Sequence, residues 1–149
     1  MTTQATAPTV PEAVLVAVDF SPGAHRALDL ALAWCPRGEV TAVHVLDTDF
    51  AHRIEQQGLG TSADVLARLR ARADEAFGWL LDEKGADAFA PMIVEGIPFA
   101  EIVKVANDLD VDLIAMGMHR HTPRVEQLLF GSTAEKVMRT SSRPVLCVP

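Results

Sequence analysis

The sequence predicts an α/β protein built on a single doubly wound, mostly parallel sheet of five strands, with four main helices. Three observations lead to this fold class. The chain has 149 residues, the usual size of one domain, and its hydrophobic content of 49% suffices for a substantial core. Five short apolar runs are rich in β-branched residues, and stretches with apolar residues at three- and four-residue spacings separate them. Such alternation forms right-handed crossovers, which place helices on both faces of one sheet.

The first strand is predicted over residues 13–18, which are apolar throughout. A run of this kind suits a strand covered on both faces, so we expect it near the centre of the sheet. A helix follows directly, because Ser21 is a good N-cap residue and Pro22 fits the first helical position without losing a hydrogen bond. Pro36 and Gly38 end this helix.

The second strand and helix repeat this unit. Residues 40–46 are predicted as a strand, residues 47–61 as a polar loop, and residues 62–84 as a long helix with one apolar and one charged face. Trp34 and Trp79 lie on or beside the apolar stripes of the first two helices. We interpret both tryptophans as packing residues.

The third strand is predicted over residues 88–94, followed by a helix that Pro98 opens and a fourth strand over residues 111–116. A short fourth helix ends before Pro144, because proline cannot continue a helix. Residues 145–148 then form the fifth strand. There is no room for a second domain.

The connection over residues 117–131 leads into the fourth helix. Ser132 and Glu135 have capping-box spacing, which predicts that their side chains satisfy amides at the start of this helix. Gly131 allows a ligand to approach the backbone closely, and the free amides of Ser132 and Thr133, aided by the helix dipole, can hold an anion. The start of this helix is therefore a candidate phosphate site.

Positive side chains follow the fourth strand in an otherwise acidic chain. His119, Arg120, His121 and Arg124 all lie in this one connection, which favours local anion binding. The ordinary alternative is that the glycine only forms a turn, the serine only caps the helix and the histidines are solvated. Asp19, after the first strand, has the same two interpretations, as a ligand carboxylate or as support for the turn before a helix.

The composition disfavours several kinds of binding partner and favours one cellular compartment. The formal net charge of −7 disfavours nucleic acid and membranes as partners. Residues 1–12 hold no lysine, arginine or apolar stretch, so we predict a flexible N-terminal tail ahead of a domain over residues 13–149, and no signal peptide. Cys35 and Cys147 are too few for a disulfide framework, which favours the reducing cytoplasm.

The sequence contains no familiar catalytic machinery. A Gly-x-Ser-x-Gly nucleophile elbow, the lysine of a phosphate-binding P-loop and zinc-type spacings of cysteine and histidine are all missing. We therefore assign no catalytic residue and no protein-held metal.

Six segments resemble universal stress proteins in their order and spacing. They are AVDFS (residues 17–21), HVLD (44–47), EGIP (95–98), VDLIAMG (111–117), GSTAEKV (131–137) and RPVLCV (143–148). The resemblance covers residues 13–149 and implies the strand order 3-2-1-4-5, with a homodimer formed through the C-terminal strand. Resemblance to the nucleotide-binding branch of that family also implies a site for ATP or a related adenine nucleotide, with magnesium arriving on the nucleotide.

Carried over residue by residue, the resemblance implies Asp19 at the ribose or metal, Val45 at the adenine, and Gly131 with its neighbours at the phosphates. The full set of candidate nucleotide-binding residues is Ala17, Val18, Asp19, Val45, Met116, Gly117, His119, Arg120, Gly131, Ser132 and Thr133. The chain departs from the family pattern in two places: Arg120 replaces the middle glycine of the motif, and Gly131 comes one residue late. Arginine prevents the same close backbone approach, although its guanidinium can contact a phosphate.

Three hypotheses about function remain open at this point. The first is a nucleotide-binding sensor of the stress response, and the second is a dimeric stress-response interaction protein that works without nucleotide. The third is a slow phosphohydrolase in which Asp19 and a metal orient water.

Overall fold

The computed structural model describes residues 10–36, 39–118 and 131–149. The elements in chain order are β1 (Ala13–Ala17), α1 (Pro22–Trp34), β2 (Glu39–Asp47), α2 (Thr48–Gln56), α3 (Ser62–Lys84), β3 (Ala90–Gly96), α4 (Pro98–Asp108), β4 (Leu113–Gly117), α5 (Ser132–Thr140) and β5 (Val145–Val148). The strands lie in the order β3-β2-β1-β4-β5, and each neighbouring pair is parallel. The predicted fold class and strand order are confirmed. Residues 1–9 of the predicted tail lie outside the described part of the chain.

The central strand β1 is buried on both faces, as its unbroken apolar sequence predicts. Val14 and Val16 face one core, which α1 and α3 cover, while Leu15 faces a second core under α4 and α5. Leu15 lies between Thr41 of β2 and Ile114 of β4 in the sheet register, and none of its surface is exposed. Burial on both faces, with a parallel partner on each side, accounts for the unbroken apolar sequence of β1.

The helix starts follow local capping chemistry in the first half of the chain. The Ser21 hydroxyl accepts a hydrogen bond from the Ala24 amide at 3.3 Å, and Pro22 is the first helical residue of α1, as predicted. Thr61 caps α3 in the same way, at 3.1 Å from the Asp64 amide. These contacts fix where each helix leaves the sheet.

Two local predictions are wrong. Helix α2 occupies Thr48–Gln56, where a polar loop was expected, because Asp47 caps it and Ala51 is buried while the rest of the helix is mostly polar. The predicted capping box of α5 does not form, because the N-cap is Gly131, which has no side chain. Ser132 is instead the first helical residue, and its side chain is exposed.

Candidate functional site

A cavity of about 200 Å³ lies beyond the carboxyl ends of β1, β2 and β4. This is the switch point of the sheet, since the chain runs from β1 to β2 on one side and β4 lies on the other. Eight of the candidate residues line the cavity, namely Ala17, Val18, Asp19, Val45, Met116, Gly117, Gly131 and Thr133. Ser132 lies outside this lining, and His119 and Arg120 lie outside the described residues.

Backbone hydrogen bonds hold together three of the elements around the cavity, which are the end of β1, the end of β4 and the start of α5. Ala17 is paired with Met116 across β1 and β4, so Asp19 and the connection after β4 leave the sheet side by side. The Gly131 amide donates to the Met118 carbonyl at 2.7 Å, which holds the start of α5 against the end of β4. The Asp19 carboxylate and the first turn of α5 therefore face one space.

The turn after β1 is held in an uncommon backbone conformation. Phe20 has φ = 63°, a left-handed value rare for a residue with a side chain. Its ring lies 4.8 Å from the His44 ring and 5.2 Å from the Phe77 ring, between centroids. The Asp19 carboxylate accepts a hydrogen bond from the Ser21 amide at 3.0 Å. Asp19 thus supports the turn, and it lines the cavity as well.

His44 is a cavity residue that the sequence interpretation did not select. Its Nδ1 lies 2.7 Å from the Val18 carbonyl oxygen, and because a carbonyl can only accept, Nδ1 carries the proton and donates. The contact ties β2 to the end of β1 beside Asp19. The signal that could have identified it is a histidine within the mostly apolar run of residues 40–46.

The start of α5 has the features of an anion site. The first turn of a helix leaves its amides without intrahelical acceptors, and Gly131 has no side chain to supply one. The amides of Ser132, Thr133 and Ala134 occupy these positions, at the positive end of the helix dipole. Because Thr133 and Ala134 line the cavity, the positive end of α5 is directed at it.

Gly117 has a packing role at the rim of the cavity. A Cβ added there would lie 3.0 Å from the Ala24 nitrogen and 3.1 Å from the Gly23 carbonyl carbon, both of them backbone atoms of α1. The glycine therefore lets α1 cross close to the end of β4. This requirement is separate from any contact with a ligand.

We expect Gly117→Ala to lower the free energy of unfolding by about 1–3 kcal/mol, because α1 must shift to accept the methyl group. Gly78→Ala is the matched control: apart from its chain neighbours and the backbone of its own helix, no atom of the described residues lies within 4 Å of its added Cβ, and alanine favours the interior of α3 by ~1 kcal/mol. Urea unfolding of both variants measures the difference. A Gly117→Ala protein as stable as the wild type would contradict the packing role.

The two thiols are not activated. Burial raises the pKa of the Cys35 thiol, with a smaller contribution from the negative charge of Asp112, and burial also raises the pKa of the Cys147 thiol. A raised thiol pKa reduces the thiolate fraction that reacts. Within the described residues no three histidine, cysteine, aspartate or glutamate side chains cluster to hold a metal, and no helix is long and apolar enough to cross a membrane.

The strand order defines a doubly wound α/β protein, and its cavity lies at the switch point, where folds of this class bind ligands. The family model described as "Universal stress protein family" matches residues 12–149. The chain belongs to the universal stress protein family.

Similar proteins agree with this membership. Universal stress protein MJ0531 of Methanocaldococcus jannaschii is 32% identical over 111 residues, which cover 74% of this chain and 64% of that protein. Universal stress protein MJ0577 of the same organism is 49% identical over 57 residues, 38% of this chain and 35% of that protein. The matched segments thus span about a third to two thirds of the lengths of these curated relatives.

Solved structures show the same fold over nearly the whole chain. The structure of MJ0577 has a TM-score of 0.79 at 32% identity and covers 94% of this chain and 96% of its own. A universal stress protein from Archaeoglobus fulgidus in complex with dAMP has a TM-score of 0.61 at 22% identity, covering 95% and 100%. A universal stress protein in complex with cAMP has a TM-score of 0.56 at 22% identity, covering 95% and 98%.

Proposed function

We propose that this universal stress protein binds an adenine nucleotide, ATP or a related one, and acts as a stress-response or sensor module. One observation carries the proposal: the start of α5, whose N-cap is a glycine, opens onto the same cavity that Asp19 lines. Amides and a helix dipole suit phosphate, while a carboxylate suits a ribose hydroxyl or a cation. A nucleotide presents these groups together.

The proposed orientation follows the chemistry of the lining. The base packs against Val45 and other apolar side chains of the cavity, the ribose lies at Asp19, and the phosphates extend to the amides of Thr133 and its neighbours. A volume of about 200 Å³ is below the range of roughly 300–1,000 Å³ typical of whole-ligand pockets. We therefore expect the phosphates to lie at the mouth of the cavity. His119 and Arg120 remain part of the proposed phosphate site.

Magnesium bound to the nucleotide fits the same arrangement. Asp19 and Asp47 are the two carboxylates among the described residues of the cavity lining. Magnesium in nucleotide sites is typically held by one or two carboxylates together with phosphate oxygens. The ion would neutralise phosphate charge beside these acidic residues.

Two structural neighbours support the choice of an adenine nucleotide. The universal stress proteins described in complex with dAMP and with cAMP share this fold. Both ligands carry an adenine base and a phosphate, the two groups for which the apolar lining and the α5 amides are suited. An adenine nucleotide is therefore the ligand class to test first.

Calorimetric titration of the purified chain tests the proposal. We expect saturable binding of ATP, with and without magnesium, and weaker binding of GTP. Gly131→Arg should lower the ATP affinity at least about tenfold, which corresponds to ~1.4 kcal/mol, because its side chain fills the phosphate space. Gly78→Arg adds the same side chain on α3, outside the cavity lining, and should bind ATP like the wild type.

The outcomes separate the two main hypotheses. No binding of any adenine nucleotide would overturn the proposal and favour the nucleotide-independent interaction protein. Equal losses in Gly131→Arg and Gly78→Arg would show that the added charge or altered stability, rather than the phosphate space, controls affinity.

We further propose a homodimer formed through β5 and a cytoplasmic location. Within the described sheet β5 is an edge strand, and three of its four apolar residues, Val145, Leu146 and Cys147, are only partly buried. A second copy would cover this edge. Two free cysteines support a reducing compartment.

A further inference from the structure

An open groove of about 920 Å³ runs along α3 and the start of α1, apart from the nucleotide cavity. Phe20 and His25 line it from the α1 side, and Ala76, Trp79 and Leu80 line it from α3. Phe20 closes the groove toward the cavity, since its ring packs against His44. The groove thus has an apolar floor.

Trp79 is the most exposed large side chain of this groove. The sequence predicts a packing role for Trp34 and Trp79, but 47% and 73% of their surfaces are exposed, so that interpretation is wrong. The buried residues of α3 are Ala73, Phe77 and Leu80, and Trp79 is turned away from their stripe. An indole exposed to this extent is available to a partner, because tryptophan combines a large apolar surface with a π face.

Carboxylates surround this tryptophan along α3. Glu75, Asp82 and Glu83 stand four residues before, three after and four after Trp79, the spacings that make neighbours on a helix surface. All three line the groove, and Arg72 is the one permanent cation among the described residues of its lining.

The carboxylates are largely available for a partner. Among the described residues neither Glu75 nor Asp82 forms an ion pair. Glu83 lies 3.6 Å from the Lys84 ammonium, which is closer to Asp29, at 2.6 Å. The groove therefore presents negative charge at Glu75 and Asp82 that no ion pair among the described residues neutralises.

We propose that this groove docks a segment of a partner protein that is rich in arginine or lysine. A guanidinium or ammonium group over the Trp79 indole gains a cation–π interaction, and the flanking carboxylates accept its hydrogen bonds. The aliphatic stem of the same side chain covers the apolar floor at Ala76 and Leu80. The carboxylates would repel an acidic partner. A purely apolar partner would remove water from the carboxylates without replacing their hydrogen bonds, which costs free energy.

The test uses a fluorescein-labelled peptide of alternating arginine and alanine, with a glutamate–alanine peptide as its charge-reversed counterpart. The chain has two tryptophans, so Trp34→Phe leaves Trp79 as the only indole reporter. We expect saturable binding of the arginine peptide by anisotropy, a change in Trp79 emission over the same concentration range, and no binding of the glutamate peptide.

Two triple variants separate the groove from the general acidity of the chain. Glu75→Gln/Asp82→Asn/Glu83→Gln should weaken arginine-peptide binding at least about tenfold. Asp74→Asn/Asp87→Asn/Asp108→Asn removes the same charge from residues outside the groove lining and should change the affinity less than about twofold. Circular dichroism of both triple variants verifies that α3 is intact.

Three outcomes would overturn the proposal. Equal weakening by the two triple variants would mean unspecific attraction to an acidic protein. Unchanged Trp79 emission at saturation would place the peptide elsewhere. A halved mass of Trp79→Ala in light scattering would identify a second copy of this chain as the occupant. Because Trp79 does not line the nucleotide cavity, ATP titration of the same variants distinguishes failure here from failure of the proposed nucleotide binding.

Discussion

Thr133→Glu is expected to weaken ATP binding about 100-fold while leaving the protein folded and as stable as the wild type. Thr133 is the second residue of α5 and lines the cavity. A carboxylate there stands next to the amides proposed to hold the phosphates. Juxtaposed like charges at a binding site cost several kcal/mol, and ~2.8 kcal/mol corresponds to 100-fold in affinity.

The same substitution should not harm the helix. A negative side chain in the first turn interacts favourably with the positive end of the helix dipole, by about 0.3–1 kcal/mol. The N-cap of α5 is a glycine, so the substitution removes no capping side chain there, and Glu135 is the acidic residue already in the first turn. Lost binding in a protein of unchanged or raised Tm would therefore reflect charge repulsion at the site rather than unfolding.

Thr133→Gln is the matched control, since glutamine has nearly the size of glutamate but no charge. We expect it to bind ATP within about fivefold of the wild type, a difference below 1 kcal/mol. Calorimetry of both variants, with thermal melting alongside, makes the comparison. If glutamine weakened binding as much as glutamate, steric exclusion would be the cause, and the proposed contact between phosphate and α5 amides would lose its support.

The fold could be predicted because its strongest signals are local and periodic. β1 is apolar at every position and rich in β-branched residues, as a short strand covered on both faces is, and α3 keeps one apolar stripe over 23 residues. The strand order, by contrast, came from resemblance, since hydrophobic periodicity does not specify which parallel strands are neighbours. Helix α2 was missed because it buries chiefly one small residue, Ala51, so its apolar periodicity is weak.

The site residues at the ends of strands could be predicted from the sequence. Those that are placed by side-chain contacts could not. The resemblance implies Asp19, Val45 and Met116 as one group, and all three line the cavity because the carboxyl ends of β1, β2 and β4 meet at one edge of the parallel sheet. The position of His44 beside Asp19 follows from a hydrogen bond to Val18, which no spacing rule supplies. The capping-box pattern of Ser132 and Glu135 did not identify the start of α5, because the N-cap is Gly131, one residue earlier, and Ser132 is already helical.

Cys147→Pro is expected to convert the proposed homodimer into a monomer without unfolding it. The Pro144 carbonyl accepts from the Ile114 amide at 3.0 Å, and the Val148 carbonyl accepts from the Met118 amide at 2.8 Å, so these groups of β5 face β4. Because backbone groups alternate along a strand, the amide of Cys147 faces the open edge. Proline deletes this outward donor and spares the ladder with β4, a position at which edge strands tolerate proline.

Cys147→Ala is the control that separates the backbone from the side chain, since alanine keeps the amide while removing the thiol. Sedimentation of both variants at matched concentrations measures the mass, and thermal melting checks the fold. We expect the alanine variant to sediment as a dimer and the proline variant as a monomer, because pairing through a sheet edge depends on main-chain hydrogen bonds more than on any one side chain. A proline variant that remained dimeric would mean that the two copies meet on another surface, whereas dissociation of the alanine variant would assign the contact to the Cys147 side chain.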